Sequence, residues 1–329
     1  MLDRGIRCLV TGAAGFIGSH LVERLVREGA AVRAMVRYGS RPGLGNLDRI
    51  DRTALSAIEV VAGDVTDGAF VEQAVAGCGI VFHLAAIISI PASYSVPDLV
   101  HAVNAGGTLN VLNACRRHRV RRLLHTSSSE VYGSAVAVPM TESHPVCAQS
   151  PYAASKVAAD AMVTAYWRSF GVPAVTVRPF NTYGPRQSTR AVLTSIVAQL
   201  VSGATHIELG DLAPTRDLVY VEDTVSGFVA AAQAQGVDGR TFNLATGRDT
   251  SIGELARLAM AAVGREVPIR SAQSRLRPSP SEVTRLCGDP SAAREALKWT
   301  PTVGLEQGIA RLVEHERSNP RQRPEEHVW

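Results

Sequence analysis

Thr11-Gly12-Ala13-Ala14-Gly15-Phe16-Ile17-Gly18 joins a short apolar run, Arg7 to Val10, to an amphipathic stretch from Phe16 to Glu28. A glycine cluster between a strand pattern and a helix pattern has a definite physical use. Gly12 permits the tight turn, Gly15 lets the backbone approach a pyrophosphate, and Gly18 lets the helix pack closely on the sheet. The spacing is GxxGxxG rather than GxGxxG, so its weight comes from the strand, turn and helix around it. The segment predicts a dinucleotide-binding first βα unit.

Outward from that segment, runs rich in β-branched residues alternate with amphipathic ones. Strands are expected near Arg7 to Val10, Ala31 to Val36, Ile58 to Val61, Ile80 to Leu84, Arg122 to Thr126 and Ala174 to Arg178. Helices are expected over Phe16 to Glu28, Asp67 to Ala76, Val96 to Arg117 and Pro151 to Phe170. This alternation predicts an α/β fold, a Rossmann-type doubly wound parallel sheet over residues 1–180. Beyond Asn181 the pattern is irregular, with helices over Ala191 to Val201 and Glu222 to Gln235, one opened by Ser251, and one ending near Arg317. Residues 181–318 read as a smaller mixed α/β substrate-binding cap, some of whose segments return to the main sheet. Residues 319–329 read as a polar tail, poorly ordered from Asn319 to Glu326.

The chain has 329 residues, a formal net charge of +4 and 46% hydrophobic residues, the composition of an ordinary globular enzyme. The excess charge is too small to imply nucleic acid. The basic run Arg116-Arg117-His118-Arg119-Val120-Arg121-Arg122 reads as a helix end, where cations complement the macrodipole. Five scattered cysteines have no metal-ligand spacing, so no metal site is expected and reduced thiols are the simplest account. No apolar run is long enough to span a membrane and no export signal is visible, which predicts a cytoplasmic protein without membrane partners.

Two further clusters carry chemistry. Tyr152 and Lys156, four residues apart in an expected helix, share a face. There the ammonium is expected to lower the phenol's pKa, making Tyr152 a base for a sugar hydroxyl. Where an acidic residue usually ends the second strand and binds the adenosine ribose, this chain has Met35-Val36-Arg37-Tyr38-Gly39-Ser40-Arg41. Arg37, with Ser40 or Arg41, either holds a 2′-phosphate or stacks on adenine, which favours NADP over NAD. Asp64 is placed to accept from the adenine amino group, and His83-Leu84-Ala85-Ala86 puts small residues along the cofactor's path.

With these motifs the chain resembles the extended short-chain dehydrogenases/reductases of the nucleotide-sugar epimerase/dehydratase branch. The resemblance rests on TGAAGFIGSH (Thr11 to His20), HLAA (His83 to Ala86), NAGGTLNVL (Asn104 to Leu112) and SSSEVYG (Ser127 to Gly133). It rests equally on PYAASK (Pro151 to Lys156), RPFNTYGPRQ (Arg178 to Gln187) and RDLVYVEDT (Arg216 to Thr224). It implies that Ser128 bridges substrate and Tyr152, that Tyr152 is the base for hydride removal, and that Lys156 holds the nicotinamide ribose. It implies further cofactor contacts at Phe16, Ile17, Val65, Leu84, Ala85, Ala86, Asn104, Thr126 and Pro179. Asn181, Arg186, Val192, Arg216 and Arg277 would meet a nucleotide-diphosphate sugar, Arg because its planar fork suits phosphate.

Glu130 separates the branch's two activities. The C4-epimerases are implied to carry small or uncharged residues after the catalytic hydroxyl, whereas 4,6-dehydratases carry a Glu where Glu130 stands. Once C4 is a ketone the C5 proton is acidic, and a carboxylate removes it as the C6 hydroxyl leaves. The dTDP-glucose enzymes have Asp-Glu here, against Ser129-Glu130 in this chain. Ser-Glu is similar to GDP-mannose 4,6-dehydratases, and SSSEVYG with RPFNTYGPRQS resembles most the UDP-N-acetylglucosamine 4,6-dehydratases of legionaminic-acid-type pathways. Without the Asp, either Glu130 serves both proton steps or Ser129 relays from solvent. A C4-epimerase is the alternative, and a non-catalytic NAD(P)-binding module a remote one. The resemblance also implies a homodimer built from Val96 to Arg117 and Pro151 to Phe170.

Overall fold

The computed structural model describes residues 5–39 and 43–319. Six strands form the first part of the chain: β1 (Arg7–Thr11), β2 (Ala31–Val36), β3 (Ile58–Ala62), β4 (Ile80–His83), β5 (Arg122–Thr126) and β6 (Ala174–Pro179). Between them lie α1 (Phe16–Arg27), α2 (Arg52–Ser56), α3 (Gly68–Val75), α4 (Ile90–Ser95), α5 (Pro97–His101), α6 (Gly107–Arg117) and α7 (Pro151–Phe170). Further on come β7 (Asn181–Tyr183), α8 (Val192–Val201), β8 (Ile207–Leu209), β9 (Thr215–Tyr220), α9 (Val221–Gln233) and β10 (Thr241–Leu244). Then follow β11 (Asp249–Ser251), α10 (Ile252–Val263), β12 (Ile269–Ser271), β13 (Arg285–Leu286), α11 (Ser291–Leu297) and α12 (Leu305–Ser318).

The main sheet has seven parallel strands in the order β10-β6-β5-β4-β1-β2-β3. The chain runs outward from β1 to β3 and then returns on the other side at β4. That reversal opens a crevice at the carboxyl ends of β1 and β4, the usual place for a ligand in such sheets. Helices cover both faces, which is why the strands are apolar almost throughout rather than alternating. On one face Leu21, Val22, Leu25 and Phe228 meet Val10, Phe82 and Val175; on the other Val71, Val75, Val111, Leu112 and Val163 meet Leu9, Val81 and Leu123.

The outermost strand β10, Thr-Phe-Asn-Leu, is supplied by the C-terminal part and was not among the strands expected. Four residues bounded by a polar turn give too short a period to distinguish. The rest of that part builds a sheet of β11-β9-β13 with β7 against β9, and a pair β12-β8. Its helices begin where caps stand: the Ser251 hydroxyl accepts from Glu254 N at 3.1 Å to open α10. Buried Asp223 fastens the approach to α12, accepting from Thr302 Oγ1 at 2.8 Å and Val303 N at 2.9 Å. Asp223→Ala strands that backbone N–H and is expected to cost about 2–3 kcal/mol, read as a fall in thermal midpoint.

One expectation needs correction. Residues 96–117 are not one regular helix: α5 passes through a π-helical segment, Ala102–Gly106, into α6. The Asn104 amide is buried there and grips Ile87 from both sides, accepting from its N at 2.8 Å and donating to its O at 3.0 Å. The basic run does stand at the end of α6, with Arg116 and Arg117 in its last turn, and it continues into β5 at Arg122. Arg116 stacks on Phe170 at 3.8 Å, Arg117 pairs with Glu72, and Arg122 pairs with Asp238 at 2.9 Å. All but the first residue of the expected tail, residues 320–329, lies outside the described residues. Among the described residues no helix is long and apolar enough to cross a membrane, and the five cysteines are free thiols.

Candidate active site

The glycine turn is built as its spacing requires. Gly12 has φ +69°, and a Cβ there would lie 2.8 Å from Ala85 N, so the turn sits directly on the loop after β4. A Cβ on Gly18 would lie 2.2 Å from the Gly12 carbonyl oxygen. Gly15 is the N-cap of α1 and no side chain caps that end, which leaves its first N–H groups to a ligand. Phe16 and Ile17 turn their side chains into the core. Thr11 Oγ1 accepts from Leu84 N and Ala85 N, each at 3.1 Å, and lies 2.8 Å from His83 Nδ1. These bonds hold the Leu84-Ala85-Ala86 strip against the turn.

Around this cradle the other expected cofactor residues differ in what they offer. Arg37 is exposed just beyond β2, and its charge helps hold the Asp64 carboxyl below the usual range, after the hydrogen bonds from Thr66. Ser40 lies outside the described residues. Val65 packs its side chain on Gly107 of α6, within the core. Asn104 is corrected from ligand to scaffold, since its polar atoms are committed to Ile87 and, at 2.9 Å, to Ser155 Oγ beside Lys156. Thr126 Oγ1 is buried without a hydrogen-bond partner at the end of β5, and Pro179 ends β6 two residues beyond Val177, the partner of Thr126 in the sheet. An uncapped helix end, a Cβ-free turn and an orphaned hydroxyl together fit a dinucleotide.

Beyond β5 the chain turns through a 3-10 segment, Ser129–Tyr132, for which Ser128 is the N-cap, its Oγ accepting from Glu130 N at 3.2 Å. That cap aims Ser128 at α7, where its hydroxyl stands beside Tyr152 and favours the phenolate. The start of α7 is fixed by Ser150, which caps it with Pro151 in the first turn. Tyr152 and Lys156 are both buried. The sequence suggested that Lys156 would depress the phenol. Instead burial dominates and pushes Tyr152 up to about 12, with the Glu130 and Asp160 carboxylates adding to the rise and Ser128 opposing it. Lys156 is itself pushed down to about 8 by burial, against the pull of Asp160, and its Nζ donates to Thr126 O at 2.8 Å.

Glu130 is no solvated turn carboxylate: its side chain is only 12% exposed and lies 3.9 Å from Arg277 Nη1. Arg277 Nη1 is also 3.7 Å from Glu282, which accepts from Arg216 Nη2 at 3.0 Å. Two arginines that the sequence nominated for a diphosphate are thus brought together beside Glu130. Asn181 is exposed at the head of β7, and Val192 opens α8. Arg186 is a correction. Its guanidinium is buried against α1, donating to Glu23 Oε2 at 2.5 Å and to His20 Nε2 at 3.1 Å, so it clamps the loop after β7 to the cofactor helix. Two site residues escaped the sequence reading, Glu282 and Asp160. Asp160 had a visible signal, since it continues the Tyr152 and Lys156 stripe by one more helical turn.

A dinucleotide cradle, a Ser-Tyr-Lys set and an arginine pair define an NAD(P)-dependent enzyme acting on nucleotide sugars. Comparison with known proteins agrees. The profile of the GDP-mannose 4,6 dehydratase family matches residues 9–312. A UDP-glucose 4-epimerase of Mycolicibacterium smegmatis is 37% identical over 95% of this chain and 99% of its own. A dTDP-glucose 4,6-dehydratase of Actinoplanes sp. is 32% identical over 95% and 98%. Among solved structures, the dTDP-glucose 4,6-dehydratase DesIV of Streptomyces venezuelae, crystallised with NAD, superposes with a TM-score of 0.86 at 29% identity, covering 95% of this chain and 98% of that one. The chain belongs to the GDP-mannose 4,6 dehydratase family of nucleotide-sugar dehydratases and epimerases.

Proposed function

We propose that the chain is a nucleotide-sugar 4,6-dehydratase, converting an NDP-hexose to its 4-keto-6-deoxy form, with UDP-N-acetylglucosamine as substrate. The observation that carries the reading is Glu130, a sequestered carboxylate held between the Ser128-Tyr152 pair and Arg277. A bound nicotinamide dinucleotide supplies the hydride acceptor for C4 and the hydride donor for C6. The chain's residues handle protons. Tyr152, through Ser128, takes the proton of the C4 hydroxyl. Glu130 takes the C5 proton and passes it to the departing C6 hydroxyl, which leaves as water, and a proton from solvent returns to C5 as the hydride enters C6. Ser129 is only 4% exposed, which favours Glu130 for both steps over a relay from bulk solvent. Arg216 and Arg277 grip the diphosphate, and UDP-N-acetylglucosamine is favoured by the SSSEVYG and RPFNTYGPRQS runs.

A C4-epimerase is the second reading, favoured by the 37% identity to such an enzyme. Glu130→Gln separates the two. A dehydratase loses about 100-fold in turnover, while an epimerase, needing no base at C5, changes little. Product mass across a panel of UDP-, GDP-, dTDP- and CDP-sugars checks the reaction: loss of one water supports it, and unchanged mass throughout rejects it. For the cofactor we infer NADP, because Arg37 rather than a carboxylate stands after β2, and the nucleotide that copurifies decides. We also infer a homodimer through residues 96–117 and α7, near which Val96 and Leu99 are exposed, to be read by sedimentation.

A further inference from the structure

One heavily bonded carboxylate beside the Tyr152-Lys156 pair is not used by the chemistry above. Asp160, on α7, is nearly buried and holds two strands at once. Oδ1 lies 3.1 Å from His125 Nε2; Oδ2 accepts from Ser127 Oγ at 2.8 Å and from Arg178 Nε and Nη2 at 3.2 and 2.9 Å. His125 and Ser127 flank Thr126, the residue whose carbonyl anchors Lys156. Ser127 is followed by Ser128, and Arg178 belongs to β6, which pairs with β5. Tyr152, Lys156 and Asp160 stand one turn apart on the same helix.

We propose that Asp160 is a positioning residue for the hydride-transfer step, locking α7 to the ends of β5 and β6 so that Ser128 and the Thr126 carbonyl meet Tyr152 and Lys156 in register. A counter-ion for Arg178 alone would need neither bond to β5. The same carboxylate faces Lys156 along α7 and favours its charged form. The other titratable groups nearby are His125 on β5, Arg178 on β6, His83 on β4 with its ring 6.0 Å from that of His125, and Tyr152 and Glu130.

The chain makes this measurable, because Lys156 and Lys298 are its only lysines. Lys298 is exposed at the end of α11, so Lys298→Arg leaves a single resonance in protein labelled with 13C at lysine Cε. In that background Asp160→Asn is expected to lower the Lys156 titration midpoint by about one pH unit or more, since an opposing charge is lost. It is also expected to lower kcat at neutral pH about 10-fold, with KM for the sugar nucleotide within twofold because Arg216 and Arg277 lie on other elements. Asp160→Glu restores the titration. Should Asp160→Asn not fold, Ser127→Ala removes one tether and keeps the charge: kcat falls several-fold and the Lys156 titration stays. An unmoved titration in Asp160→Asn, or an unchanged kcat in Ser127→Ala, overturns the proposal. The proposal rests on the Tyr152-Lys156 reading, yet the titration is read without substrate, so a wild type inactive on every sugar nucleotide would reject the assigned reaction and leave the titration standing.

Discussion

Tyr152→Phe is expected to lower kcat about 10,000-fold, the upper end of what one positioned acid-base group contributes. Among the described residues the phenol is the acid-base group beside the Ser128 hydroxyl, and Tyr152 is buried. Because burial holds the phenol near 12, it is protonated at neutral pH in the resting protein. The reaction needs the ionised phenol, which takes the C4 hydroxyl proton through Ser128, and Phe has no oxygen for that role. Packing should survive, since the ring and its buried neighbours are unchanged and only one hydrogen bond is removed, worth about 1 kcal/mol. The measurement is turnover by product mass spectrometry, beside circular dichroism and cofactor content as controls. A loss below 10-fold with intact cofactor would move the proton transfer to another group.

Much of this arrangement is legible in the chain because it depends on neighbours in sequence. The turn Gly12 to Gly18 is read from three glycines and the strand before them, and the stripe Tyr152-Lys156 from helical spacing. Glu130 is nominated by its place two residues after Ser128. What was misjudged depends on partners far along the chain. Asn104 looks like a cofactor ligand until a π-helical segment turns it onto Ile87. Arg186 looks like a phosphate ligand until the fold lays it against Glu23, 163 residues away. The balance at Tyr152 is another such case: sequence shows the attracting Lys156 but not the desolvation that outweighs it. Glu282 is invisible for the same reason, being defined only by the arginines, from β9 and from its own loop, that converge on it.

The same logic makes Gly18 the most demanding position of the cradle, and Gly18→Ala is expected to lower dinucleotide affinity about 1,000-fold. Gly18 lies inside α1 at ordinary helical dihedrals, so an alanine there would normally be stabilising. Here its methyl would sit 2.2 Å from the Gly12 carbonyl oxygen and about 3.0 Å from Ala13 Cα, both backbone atoms that cannot rotate away. The turn must then lift from the helix. Lifting is opposed on its other side, where Gly12 already lies against Ala85 and Thr11 ties that loop in place. Strain of this kind costs about 3–4 kcal/mol, and it falls on the backbone that receives the pyrophosphate. Purified Gly18→Ala protein should carry no dinucleotide and should bind added NAD(P) only weakly by calorimetry, with a lowered thermal midpoint. Normal cofactor occupancy in that variant would show that the turn yields, and would remove the cradle from its place as the rigid part of the site.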